Sequence, residues 1–158
     1  MATIIRDLLP DDLIIEEIKA TDKTGVIREF AGILHATGRV SDAEHLVRVL
    51  LERESHGSTG IGDGVAIPHG KLSSISTMVV AFGRSSRGVD FQSLDAKPVY
   101  LFFLLVTPDN KPGDHLKALA RISRILKNPV LRENLKLTSD RQELKRLIYE
   151  EDSKYPQK

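Results

Sequence analysis

Cysteine is absent from all 158 residues. Disulfides, thiol nucleophiles and thiolate metal sites are excluded together, and a reducing cytoplasmic setting is compatible with the chain. An excess of one charge is missing as well: 23 basic residues stand against 22 acidic ones, for a formal net charge of +1. Without a strong positive field the chain has no hold on a polyanion, so nucleic acid is not its expected partner. Long hydrophobic runs are lacking too. The longest, Val99 to Val106, is eight residues, far short of the roughly 20 that a membrane helix needs. The N-terminal MATIIRDLLPDDL shows no basic region followed by an apolar block, so the expectation is a cytoplasmic protein without export or membrane insertion.

Several catalytic signatures are also missing. None of His35, His45, His56, His69 and His115 forms the H-E-x-x-H pair of a metal site, and no G-x-S-x-G pentapeptide offers a serine nucleophile. Gly60-Ile61-Gly62-Asp63-Gly64 brings its third glycine one residue early for a dinucleotide loop, with Pro68 obstructing the helix such a loop must open. A phosphate loop from Gly64 to Lys71 fails as well, because five residues separate Gly64 from Gly70 and Leu72 stands where a hydroxyl would hold magnesium. No metal and no cofactor are expected.

What is present has globular proportions, 41% hydrophobic and 28% charged, in a length suited to one compact domain over residues 1–158. Leu13 to Ile18 reads as a strand. Val26, Ile27, Phe30, Ala31 and Leu34 recur at helical spacing from Asp22 to about Thr37, with Gly38 as the stop. A second helix is expected from Ser41, paired with Glu44 as a reciprocal cap, to about Glu54, with Ala43, Leu46, Val47 and Leu50 inward. Thr77 to Gly83 and Val99 to Val106 read as strands. The second is apolar without alternation, as a central strand covered on both faces should be. A third helix is expected from a cap at Asp114 through Lys127, with Leu116, Leu119, Ile122 and Leu126 on one face, and Asn128-Pro129 restarts a short helix. A last helix follows Ser139, paired with Gln142. The expected fold is α/β: a mixed β-sheet flanked by helices on both faces.

Five of the eleven glycines fall within GSTGIGDGVAIPHGK, residues 57–71, around His69. Glycines let backbone N–H groups converge on an anion, and phosphate is the natural one, with Thr59, Gly60 and Gly62 as the expected phosphate-binding residues. A histidine with one ring nitrogen held protonated and the other free is a competent nucleophile. The same spacing also suits an ordinary turn histidine.

Arg53-Glu54, the segment at 57–71, GVDF at Gly88 to Phe91, VYLFFLLVTP from Val99 and His115-Leu116 follow one another in an order that resembles the enzyme IIA domains of the fructose, mannitol and nitrogen-regulatory branch of the phosphoenolpyruvate-dependent phosphotransferase system. The resemblance spans nearly the whole chain. It implies that His69 accepts a phosphoryl group through Nε2 from a small histidine phosphocarrier protein, HPr or its nitrogen-branch counterpart. It further implies that His115 and Arg53 stand beside the phosphoryl group, a placement that suits a transfer catalysed by positioning and charge. His56 gains no role from it. Within the family the text around PHGKL and the lack of a fused cysteine-bearing IIB partner favour nitrogen regulation over sugar uptake. Further partners would be a IIB domain or a regulated transporter or kinase. A regulatory binding module without transfer chemistry, and a metal hydrolase, are the rival expectations.

Overall fold

Residues 5–155 are described by the structure, a computed structural model; the expected domain of residues 1–158 extends beyond them at both ends. Among the described residues there are six helices and six strands, with five of the strands running consecutively between α3 and α4. A short helix α1, Ile5–Leu8, and a 3-10 turn at Asp11–Leu13 lead into β1, Ile14–Ile15. Only two residues of the expected first strand are therefore strand; they pair in parallel with Phe82 and Gly83, and Ile18 N–H returns to the Arg84 carbonyl at 2.7 Å.

Helix α2, Lys23–Ala36, is capped by Asp22, whose side chain accepts from Gly25 N–H, and buries the five residues that the spacing selects. Helix α3, Ala43–Ser55, is capped by Asp42 rather than Ser41, and Ala43 is only partly buried. The same displacement recurs in α6, Arg141–Ser153, where Asp140 rather than Ser139 accepts from Glu143 N–H. Both errors fall on Ser-Asp pairs. The carboxylate gives the stronger charge-assisted cap at the positive end of a helix, so each helix begins one residue later than the serine implies.

Strand β5, Val79–Val89, runs beyond the expected Gly83, and β6, Val99–Pro108, extends past Val106. Residues of β6 on both faces are buried almost without break, the behaviour expected of a central strand. β5 pairs with it antiparallel on one side. On the other side lie β3, Val65–Ala66, and β4, His69–Leu72, both parallel to it. The two short strands form one interrupted edge, with the Pro68 carbonyl accepting from Leu105 N–H at 3.0 Å. β2, Gly60–Gly62, closes the sheet against β3. The result is a mixed sheet with β6 at its centre.

Helix α4, Pro112–Ile125, starts at Pro112, and no side chain caps it. Asp114 lies inside the helix rather than at its cap, because a proline with its preset φ occupies the first helical position two residues earlier. The buried face is His115, Ala118, Ile122 and Ile125, while Leu116 is 66% exposed and Leu119 only partly buried. Ile122 and Leu126 are buried as expected, whereas at the start of the helix the buried face is displaced by one residue, from Leu116 and Leu119 to His115 and Ala118. Helix α5, Pro129–Leu137, is capped by Asn128 as the sequence indicates.

Candidate functional site

Between β2 and β3, Asp63 and Gly64 both take positive φ, 57° and 76°. This is the two-residue hairpin turn that Asp-Gly pairs favour. The glycine-rich segment thus forms a hairpin, and several of its backbone donors already have partners, among them Glu54 of α3 and Asp95. Thr59 is buried, with its N–H on Glu54 Oε1 at 3.1 Å and its hydroxyl on Glu54 Oε2. Gly60 N–H is held by Ser58 Oγ at 3.0 Å, and Gly62 lies against Asp95. Thr59, Gly60 and Gly62, expected to bind phosphate, thus lie outside the lining of the cleft that holds His69.

The cleft is open, about 370 Å³, and lined by Val49, Glu52, Arg53, His69, Gly70, Lys71 and His115. His69, Arg53 and His115 are therefore brought together, from the start of β4, the last turn of α3 and the first turn of α4. Gly70 makes this approach possible. A Cβ there would stand 2.8 Å from Val49 Cγ1, closer than Cβ contacts come, so a side chain at this position would require Val49 to shift. The bare backbone at position 70 lets α3 lie close on β4, and Arg53, one turn beyond Val49, reaches the imidazole from there.

Two neighbours that cannot exchange roles fix the tautomer of His69. Arg53 Nε donates to His69 Nε2 at 3.2 Å, and a guanidinium has no lone pair to accept with. On the other side His69 Nδ1 lies 2.7 Å from the Ile67 carbonyl, which can only accept. Hence Nδ1 carries the proton and Nε2 the lone pair. Burial lowers the pKa of His69 against the raising effect of the Ile67 carbonyl, and Arg53 lowers it further, so the ring is neutral at pH 7. Arg53 is itself held, through Nη1 to the Gly57 carbonyl at 2.8 Å.

His115 is 5% exposed. Its ring centroid lies 5.5 Å from that of His69, and its Nδ1 is 2.6 Å from Thr107 Oγ1. Burial first, then the facing His69 and Lys71, bring its pKa down from 6.5 to about 4. Three residues that matter here were given no role from the sequence. Glu54 is buried and gathers Lys23 at 3.0 Å together with both Thr59 donors, tying the end of α3 to the hairpin. Lys71 adds a second cation to the cleft, and its position two residues after His69 on one strand is the signal that could have found it. Thr107 carries no comparable signal in the sequence. His56 is exposed, 3.4 Å from Glu52 on its own helix, and His45 is exposed in the first turn of α3.

A neutral imidazole with a directed lone pair, flanked by two cations and a second neutral imidazole, on a small mixed α/β sheet, defines a histidine phosphoryl carrier. Residues 7–151 match the family described as phosphoenolpyruvate-dependent sugar phosphotransferase system, EIIA 2. The chain belongs to this family. It is 40% identical over 139 residues to a nitrogen regulatory protein of Bradyrhizobium diazoefficiens, covering 87% of this chain and 90% of that one. It is 39% identical over 131 residues to the fructose-specific EIIABC component of Bacillus subtilis, covering 83% of this chain but only 21% of that protein. The crystal structure of nitrogen regulatory protein IIA-Ntr from Neisseria meningitidis superposes with a TM-score of 0.85 at 31% identity, covering 91% of this chain and 98% of that one. No helix among the described residues is long and apolar enough to cross a membrane.

Proposed function

We propose that His69 is the phosphoryl acceptor, that it is loaded through Nε2 by a small histidine phosphocarrier protein of the HPr kind, and that its phosphorylation state serves as a regulatory signal. The observation that carries this reading is the locked tautomer, since Arg53 and Ile67 together leave the lone pair on the nitrogen that faces the cleft. In the transfer the Nε2 lone pair forms a bond to phosphorus as the donor's N–P bond breaks, and that bonding pair returns to the donor's imidazole. Nδ1 keeps its proton on the Ile67 carbonyl, which stabilises the positive charge the ring acquires. The Arg53 Nε–H, released from the consumed lone pair, passes to a phosphoryl oxygen, and Lys71 and His115 face the remaining charge.

Such a donor is cytoplasmic, and so is the chain on this reading, with residues 1–158 acting as one EIIA domain. The nitrogen-regulatory relative, matched over 90% of its length, supports the regulatory role, in which a transporter or kinase would be the regulated partner. The fructose-specific relative supports a second reading, in which His69 passes the group on to a IIB domain. Mass spectrometry under alkaline conditions, with phosphoenolpyruvate, the first enzyme of the system and the carrier supplied, should show one acid-labile phosphate on His69. A chain that stays unmodified contradicts the reading and leaves the binding-module alternative. Transfer from the loaded chain to isolated IIB domains separates regulation from sugar uptake.

A further inference from the structure

Thr107 lies on β6 opposite Lys71 of β4, two residues along from the position that pairs with His69. It has no solvent exposure, and its hydroxyl stands 2.6 Å from His115 Nδ1. A buried hydroxyl hydrogen without an acceptor is costly. Among the described residues the Thr107 hydroxyl is paired with no other group. Were Nδ1 to donate to the threonine oxygen, the hydroxyl hydrogen would be left in the protein interior with nothing to bond. The opposite arrangement satisfies both groups: the hydroxyl donates to the Nδ1 lone pair, and the single proton of the neutral ring sits on Nε2.

We propose that Thr107 is a positioning residue that selects the Nε2–H tautomer of His115 and so turns that imidazole into a hydrogen-bond donor toward the phosphoryl group on His69. The inference rests on the reading of His69 as phosphoryl acceptor. With Nδ1 occupied by Thr107, Nε2 is the ring nitrogen left to serve the cleft that His115 lines. A bare lone pair at that place would repel phosphoryl oxygens, whereas an N–H stabilises the charge they carry in transfer. The two histidines of the cleft are thereby set in opposite tautomers by opposite kinds of partner. A carbonyl takes the Nδ1 proton of His69 so that its Nε2 can attack, and a hydroxyl fills the Nδ1 lone pair of His115 so that its Nε2 can donate.

Nitrogen-15 NMR of the imidazoles in the unphosphorylated wild-type chain tests this directly and needs no variant. The expected result is Nε2–H on His115 with Nδ1–H on His69; Nδ1–H on His115 overturns the proposal. Thr107→Val, which keeps the shape and removes the hydroxyl, is expected to mix the His115 tautomers. It should also slow phosphoryl uptake by His69 about tenfold, the size of one charge-assisted hydrogen bond. Thr107→Ser is expected to restore both tautomer and rate. A valine variant with the wild-type tautomer and rate overturns the positioning role, as does a folded serine variant that fails to restore them. Should valine not fold, the wild-type spectrum and the serine variant still decide. Because the tautomer is read without phosphate, failure of His69 to take up phosphate would overturn the acceptor reading and leave the tautomer result standing.

Discussion

His115 makes the stability of this protein depend on pH in a range where carboxylates contribute little. Its pKa in the fold is about 4, against an ordinary 6.5. Above pH 6.5 both folded and unfolded chains hold the ring neutral, and the full stability is present. As pH falls through 6.5 the unfolded chain takes up a proton that the folded chain refuses, so stability is lost until the folded ring titrates near 4. Between pH 7 and pH 5 this one group costs about 2 kcal/mol, a large part of the roughly 5–15 kcal/mol that keeps a domain folded. Carboxylates with lowered pKa, among them Asp12, Glu16 and Asp95, add their own loss mainly below about pH 5, because their unfolded values lie near 4. His69, also lowered, acts in the same direction as His115. Urea unfolding from pH 7.5 to 5 of the wild type and of His115→Gln isolates the His115 contribution, since His69 and the carboxylates are common to both. The wild type should lose about 2 kcal/mol more than the variant over this range. Identical slopes would refute the assignment of a buried, neutral His115.

Arg53→Lys keeps the charge and loses the fork that holds His69 Nε2 and the Gly57 carbonyl at once. Phosphoryl uptake should fall about ten- to a hundredfold with a stability change under about 1 kcal/mol; quench-flow rates beside urea melts check this, and an unchanged rate would count against the clamp. Gly70→Ala forces a methyl against Val49, so unfolding experiments should show a loss of about 1–3 kcal/mol. Pushing α3 away should also free the His69 lone pair from Arg53, visible as a raised His69 pKa by NMR. Adding Val49→Ala should recover most of both effects, and a double variant as impaired as Gly70→Ala would show that the contact is not the cause.

The order of the longer elements and the buried face of α2 could be read from apolar spacing, whereas α1 and the short strands β2, β3 and β4, of two to four residues each, are too brief to show a period. Helix starts could not be placed to the residue. At Ser41-Asp42 and Ser139-Asp140 two adjacent residues can each cap, and tertiary placement chose the carboxylate both times. In α4 the early start at Pro112 goes with a buried face displaced by one residue in the first turns, which exposes Leu116 while Ile122 and Leu126 stay buried; spacing from Asp114 could not reveal this. The site was half legible. His69, Arg53 and His115 meet in one cleft as the motif order implies, but the glycines that suggested an anion cradle build a hairpin and a close helix contact instead. Thr107 and Glu54 act through partners supplied by other elements, and no local pattern announces such pairs.

The central claim is that one nitrogen, Nε2 of His69, is the nucleophile because Nδ1 is held protonated on the Ile67 carbonyl. Phosphorus-31 and nitrogen-15 NMR of the chain phosphorylated at alkaline pH tell the two ring positions apart. The account predicts a single phosphohistidine bonded through Nε2; phosphate on Nδ1, or on His115 in place of His69, would contradict it.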